Sequence, residues 1–270
     1  MTSASPRRTV LVTGASAGIG LAFARVFAEH GFDLVLTARR EDRLDRVAGE
    51  LTARHQVAAR VLADDLEDPA APARIVARLA ADGVPIDALV NNAGYGLPGK
   101  YADTSWDAQA RFIQIMVTAC AELAHRLLPG MIERQYGRII NVSSVAGLVP
   151  GTPGHTLYAA SKAFLVRFSQ SLALETRRHG VHVTALCPGF TYTEFHDVNN
   201  TRPIVAQRVP RVMWLNADDV ARQGFDGVMA GRLQVVPGFG YKALVALTRL
   251  LPESLVIKAT LRQSRRFRAQ

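Results

Sequence analysis

Tyr158 and Lys162 stand four residues apart in a stretch of helical pattern, His155–His179, so the phenol and the amine share one helix face. A phenol near pKa ~10 is a poor base at neutral pH, and a cation within ~4–6 Å stabilises phenolate and lowers that value by ~1–3. Together the two can move a proton. Standing alone, they would read as a half-buried aromatic and a solvated surface lysine.

A second constellation lies near the amino terminus, in Thr13-Gly14-Ala15-Ser16-Ala17-Gly18-Ile19-Gly20. Gly14 lets the chain turn off a strand, Gly18 lets the backbone approach a pyrophosphate, and Gly20 lets the following helix pack near the sheet. The helix start offers free N–H groups to the anion. The spacing departs from G-x-G-x-x-G. Its place between the first strand and the first helix favours dinucleotide binding over an ordinary glycine-rich turn. The second strand ends in Thr37-Ala38-Arg39-Arg40. An acid there would accept from a ribose 2′-hydroxyl, whereas the planar fork of Arg39 suits a 2′-phosphate. Glu41 and Asp42 come only afterwards, so the expected cofactor is NADP(H); the other reading of Arg39 is a solvated strand end.

The elements that must position these residues alternate along the chain. Apolar, β-branched runs at Thr9–Thr13, Leu34–Thr37, Val57–Ala63, Asp87–Val90, Arg138–Val142, Val181–Leu186 and Leu233–Val236 are expected as strands. Helices are expected at Gly18–His30, around Leu44–Leu51, and over about 70–81, 105–134, 155–179 and 218–230. This predicts an α/β fold: a single doubly wound Rossmann-type domain over 1–240, with a seven-stranded parallel sheet and helices on both faces. A C-terminal extension covers 241–270.

Composition narrows the function classes. With 270 residues, 49% apolar and 20% charged, the chain is a folding one. Its two cysteines, Cys120 and Cys187, form neither a CxxC pair nor a metal-ligand spacing, so no metal site is expected and the expected setting is the reducing cytoplasm. The amino terminus lacks the apolar run of a secretory signal, and no uncharged apolar stretch of 18 residues is seen. Of the net charge of +9, the segment from Lys242 to Gln270 carries +6, with seven basic residues against Glu253. Charge confined to a tail argues against nucleic acid as a partner. Leu244, Leu247, Leu250 and Leu251 make an apolar stripe beside it. Two readings stay open: a peripheral membrane contact, or a helix packed on its own or a neighbouring subunit that ends in a solvated charge run.

The motifs TGASAGIG, Asn91-Asn92-Ala93-Gly94, Ser144, Tyr158-Ala159-Ala160-Ser161-Lys162 and Pro188-Gly189, in this order, resemble the short-chain dehydrogenase/reductase family over residues 7–240. The resemblance implies an NADP-preferring oxidoreductase that interconverts a carbonyl and an alcohol by hydride transfer. Tyr158 would be the general acid/base, Lys162 would also bind the nicotinamide ribose, and Ser144 would hydrogen-bond the substrate oxygen. The cofactor would be held by Gly14, Ser16, Gly18, Ile19, Gly20, Arg39, Asp65, Leu66, Asn91, Ala93, Gly94, Pro188, Gly189, Thr191 and Thr193, with Asp65 and Leu66 at the adenine and Asn91 stabilising the central sheet and lining the cleft. A homo-oligomer is implied as well.

Two departures stand out. Ser144 precedes Tyr158 by fourteen residues where the family commonly has thirteen, and Ser143 is adjacent. Met116 occupies the place of an asparagine that in the family supports a water chain to the lysine, so either the relay is altered or the helix is irregular there. This keeps open a second function class, a catalytically impaired NADP-binding sensor or interaction protein. Substrate contacts are expected from Tyr95–Lys100, Ala146–Leu157 and an apolar lid over about 190–216 that includes Phe195, Ile204, Val205, Val209, Val212, Met213 and Trp214, which suits a small hydrophobic substrate.

Overall fold

Val10 and Val12 enter one apolar layer while Leu11, between them, enters another. This is how a strand reads when the sheet is covered on both faces. The structure, a computed structural model, describes residues 7–151, 153–194, 209–252, 254–258 and 260. The strands are β1 (Thr9–Thr13), β2 (Asp33–Thr37), β3 (Ala59–Val61), β4 (Ala88–Asn91), β5 (Gly137–Val142), β6 (Val181–Leu186) and β7 (Gln234–Val235). They form one parallel sheet in the order β3-β2-β1-β4-β5-β6-β7. The order reverses between β1 and β4, and ligands of open α/β sheets bind beyond the strand ends at such a point.

One face is covered by α1 (Gly18–Glu29), α2 (Glu41–His55) and α7 (Ala217–Met229), whose Phe23, Phe27, Leu44, Leu51 and Phe225 share a layer with Val10, Leu34 and Ile140. Phe27 and Phe225 meet edge to face with ring centres 5.0 Å apart. The other face is covered by α3 (Ala71–Ala81), α4 (Trp106–Ile113), α5 (Ala119–Glu133) and α6 (Thr156–Thr176), around Ile75, Phe112, Leu123, Met131 and Leu172. By length and composition the run 106–133 could cross a membrane. Here it buries Phe112, Leu123 and Met131 against the sheet and pairs Arg126 with Glu122 outside, as a core helix does.

The expected single long helix is interrupted. Gln114–Thr118 forms a π-helical turn between α4 and α5, centred on Met116. Such insertions cluster at functional sites. Of the two outcomes left open for Met116, an irregular helix is the one found. Its side chain is 1% exposed in the apolar layer under the cleft. Sulfur fills the space beneath Gly94, where an added Cβ would sit 2.5 Å from Met116 Sδ. An amide at this position would lose that packing and bury polar atoms among Phe112 and Leu123. Met116→Asn is therefore expected to destabilise the fold by about 1–3 kcal/mol, read as a lowered urea midpoint at unchanged slope.

A last helix, α8 (Phe239–Leu250), follows β7. Predicted from the sequence as the start of an extension, it packs Tyr241 and Val245 against Val145, Leu148 and Phe190 beside the sheet. Residues 254–258 and 260 are again helical.

Candidate active site

The segments that leave β1 to β6 at their carboxyl ends all enter one cleft of about 640 Å³. At one end is the glycine loop. Gly14 and Gly18 have φ of 67° and 57°, the left-handed region that glycine adopts freely. The N-terminus of α1 has no side-chain cap and no acid in its first turn, which leaves its N–H groups to the cleft. Thr13 locks the switch point: its hydroxyl accepts from Asn92 N and Ala93 N, both at 2.9 Å, and donates to Val90 O.

Of the expected cofactor residues, Gly14, Ser16, Gly18, Ile19, Arg39, Asp65, Leu66, Ala93, Gly94, Pro188, Gly189, Thr191 and Thr193 line this cleft, together with Ser144, Tyr158 and Lys162. Two do not. Gly20 lies behind the loop, where a Cβ would stand 2.2 Å from Gly14 O, so it serves the packing of α1. Asn91 is 1% exposed in β4 and faces the protein interior. Its Nδ2 donates to Cys120 O at 3.0 Å and to Asn141 Oδ1 at 2.9 Å, and Asn141 Nδ2 donates to Ser169 Oγ at 2.9 Å. This chain ties α5, β5 and α6 together behind the cleft wall. Of the two roles expected of Asn91, these bonds fit the stabilising of the central sheet; the place in the cleft lining is corrected, because the side chain is spent behind the wall.

The structure adds charged residues that the motifs did not single out. Arg40 Nη2 donates to Ser16 Oγ at 3.1 Å, and its Nη1 pairs with Glu194 at 3.0 Å. Arg43, in the first turn of α2, holds the same carboxylate at 2.7 Å. Arg43 first and Arg40 second keep the Glu194 carboxyl below the usual range. Arg39 is more exposed and leans toward Glu67 and Asp65, at 3.4 and 3.9 Å. Helical spacing from Arg40 signals Arg43. Nothing in the sequence signals Glu194, which arrives from the far side of the cleft.

At the other end, Ser144 and Tyr158 are joined by a side-chain hydrogen bond. Ser144 Oγ also accepts from Ala146 N at 3.1 Å. The neighbouring Ser143 is buried and donates to Lys162 O at 2.7 Å, so of the two serines it is Ser144 that meets the tyrosine. Lys162 is 7% exposed rather than a solvated surface lysine. Its Nζ donates to Val142 O at 2.8 Å and lies 5.6 Å from the centre of the Tyr158 ring. Burial depresses its pKa to about 8. The same burial pushes the Cys120 and Cys187 thiols up to about 11 and about 12, so both stay neutral beside it.

The expected lowering of the Tyr158 pKa by Lys162 is not what the site shows. Burial raises it, and the bond from Ser144 opposes this only in part. The ammonium is turned to a carbonyl, and desolvation of phenolate dominates. Tyr158 is thus held as the protonated phenol, a proton donor.

Beyond Tyr158 the cleft becomes apolar, with Tyr95, Pro98, Val149, Phe190 and Leu244 on its walls. His155 is a polar residue there; its ring centre is 6.5 Å from that of Tyr158, and burial keeps it below the usual histidine pKa. Tyr241 from α8 closes the floor. Its hydroxyl accepts from Phe190 N at 2.9 Å and donates to Met213 O at 2.7 Å. Its ring lies flat on Gly189, where a Cβ would come 1.9 Å from Tyr241 Cζ. Of the expected lid, Val209, Val212, Met213 and Trp214 are described, whereas Phe195, Ile204 and Val205 lie outside the described residues.

The family model of the short chain dehydrogenases matches residues 8–203. Oxidoreductase UcpA of Salmonella typhimurium is 41% identical over 186 residues, 69% of this chain and 70% of that one. Sulfoacetaldehyde reductase 2 of Chromohalobacter salexigens is 35% identical over 243 residues, 84% of this chain and 93% of its own. Among solved structures, a short-chain dehydrogenase from Sphingobium yanoikuyae in complex with NADPH superposes with a TM-score of 0.79 at 33% identity, covering 90% of this chain and 94% of that one. With the doubly wound sheet, the glycine loop and the Ser144–Tyr158–Lys162 grouping already in place, these matches settle the family: the chain belongs to the short-chain dehydrogenases.

Proposed function

We propose that the protein is an NADP(H)-dependent oxidoreductase that interconverts a hydrophobic ketone and its secondary alcohol. The observation that carries this reading is the hydrogen-bonded pair of Ser144 and Tyr158 at the cleft wall, with the buried Lys162 behind it.

The residues present fit the cofactor. The uncapped start of α1 suits a pyrophosphate, and three arginines, Arg39, Arg40 and Arg43, gather at the end of β2 and the start of α2, where a 2′-phosphate would lie. Asp65 and Leu66 would border the adenine, and Pro188, Gly189, Thr191 and Thr193 would close on the nicotinamide end. The relative from Sphingobium yanoikuyae is described in complex with NADPH. When bound, the nicotinamide supplies the hydride equivalent, and this chain's residues handle the proton. Ser144 Oγ donates to the carbonyl oxygen and steadies the charge that develops there. Tyr158 Oη gives its proton to that oxygen. Lys162 would hold the ribose, and it keeps a positive charge near the phenol as the proton leaves. The apolar walls exclude water and select for a hydrophobic substrate. Assembly of all three groups in one cleft weighs against the impaired-sensor reading that Met116 suggests.

Three further points belong to the same reading. The free, buried Cys120 and Cys187 suit the reducing cytoplasm. The exposed Trp106, Phe164 and Leu174, with Phe164 stacked on Phe168, suit a contact between copies in a homo-oligomer. The basic C-terminal segment suits a peripheral membrane contact.

Oxidation of NADPH in the presence of hydrophobic ketones and 3-oxoacyl esters tests the activity; no turnover on any of them would remove it. Cofactor choice has its own test. Arg40→Ala and Arg39→Ala are each expected to weaken NADPH by about 10–100-fold, the loss of one charge-assisted contact of about 1.5–3 kcal/mol, and to leave NADH nearly unchanged. Fluorescence titration reads both, and equal wild-type affinity for the two cofactors would sink the assignment.

A further inference from the structure

The inner stripe of α8, Tyr241 and Val245, is buried, as expected of a helix packed on its domain. The opposite face should then be polar. It is not: Phe239 is 85% exposed, Leu247 53% and Leu250 82%, with Ala243 and Ala246 between them. Leu251, Leu255 and Ile257 continue the exposed apolar surface past the end of the helix. Lys242 and Arg249, seven residues apart and so on one side, flank this face, and Lys258 follows. No acidic residue occurs from Phe239 to Pro252.

Apolar side chains turned outward with cations along their flank are the pattern of a helix that lies in the plane of a membrane. Charge decides between this and a second copy of the chain. A two-fold contact sets the same patch against itself. Here it would bring Lys242 and Arg249 of one helix against the same two cations of another. An anionic bilayer offers the opposite sign together with hydrocarbon for Phe239, Leu247 and Leu250. The helix is also part of the cleft, because Leu244 lines it and Tyr241 floors it.

We infer that the outward face of α8 is a docking surface for an anionic lipid bilayer, and that a bilayer-dissolved substrate enters the cleft past Leu244. The entry route rests on the reductase reading; the docking does not.

Sedimentation of the full chain with phosphatidylcholine vesicles, with and without phosphatidylglycerol, tests the docking. The expected result is binding to the mixed vesicles that salt weakens, and little binding to neutral ones. Lys242→Ala with Arg249→Ala is expected to reduce it roughly 30-fold, about fivefold for each cation. Leu247→Glu with Leu250→Glu is expected to abolish it. Neither leucine lines the cleft, so turnover of a short, water-soluble ketone stays at the wild-type rate. Turnover of a ketone dissolved in the mixed vesicles falls about tenfold or more in that variant.

Absent or equal binding to the two vesicle types overturns the docking, as does binding that survives the leucine changes. A wild-type oligomer that dissociates on the same changes assigns the face to a second copy and overturns it too. An unchanged rate on the vesicle-dissolved ketone overturns the entry route alone. Because the sedimentation needs no turnover, failure of the reductase reading and failure of the docking are separate results.

Discussion

Tyr158→Phe is expected to lower turnover by about 10²–10⁴-fold while NADPH binds as before. Phenylalanine keeps the ring against His155 and removes only the hydroxyl that meets Ser144. General acid catalysis contributes about that factor. Because burial raises the Tyr158 pKa, the phenol is protonated throughout the neutral range, so reduction should show no loss near neutrality from Tyr158 itself. The check is a steady-state rate on an accepted ketone beside a cofactor titration. A variant that keeps the wild-type rate would show that another group delivers the proton.

Lys162→Met is expected to do two opposite things. Turnover and NADPH affinity fall together, since in the proposed mechanism the ammonium serves both the phenol and the ribose. Stability at neutral pH rises. A fall in pKa from 10.5 to about 8 corresponds to about 3 kcal/mol against the buried ammonium. Methionine loses the bond to Val142 O, about 1 kcal/mol, so a net gain of about 1–2 kcal/mol remains. At about 2–4 °C per kcal/mol for a chain of this size, the melting temperature should rise by several degrees. The pH dependence gives the sign independently. Below pH 8 the folded and unfolded states both carry the proton, and the wild type bears the whole penalty. Between about 8 and 10.5 the folded state has released the proton while the unfolded chain keeps it, so wild-type stability rises with pH and the gap to Lys162→Met closes. A gap independent of pH over this window would mean that Lys162 is not a strained, buried cation. Activity should follow the same titration in reverse, with reduction declining as pH rises through about 8.

The strands and helices were legible because the apolar spacing along each is strong: β6 lies at the expected Val181–Leu186, and the ends of α1, α3, α6 and α7 fall within a few residues of expectation. The glycine loop, Tyr158 and Lys162 were legible because local spacing defines them. What escaped depends on contacts between distant segments. Glu194 meets Arg40 across more than 150 residues of sequence, and Tyr241 reaches Gly189 from the last helix. The adjacent serines could not be ranked from sequence, because which one faces Tyr158 depends on how the chain leaves β5. Of the two roles expected of Asn91, the cleft contact escaped for a related reason: the last residue of β4 is buried in the protein, and the lining begins with the next residue, Asn92. The irregular turn at Met116 was half legible, as an unexpected residue whose structural consequence needed the surrounding helix.

Tyr241 also sets an order in time. Ser144, Tyr158 and Lys162 have all been synthesised once about three-fifths of the chain is made. The floor of the cleft is then still absent, because Gly189, Phe190 and Met213, and the Tyr241 phenol that holds them, are all still to be made. About eighty further residues must be added, some 4–16 s of synthesis at about 5–20 residues/s. During that interval the nascent domain exposes an apolar trough at its reactive end. Binding of cofactor before α8 docks would cover part of it, so the cell's NADPH level becomes a factor in how safely this chain completes its folding.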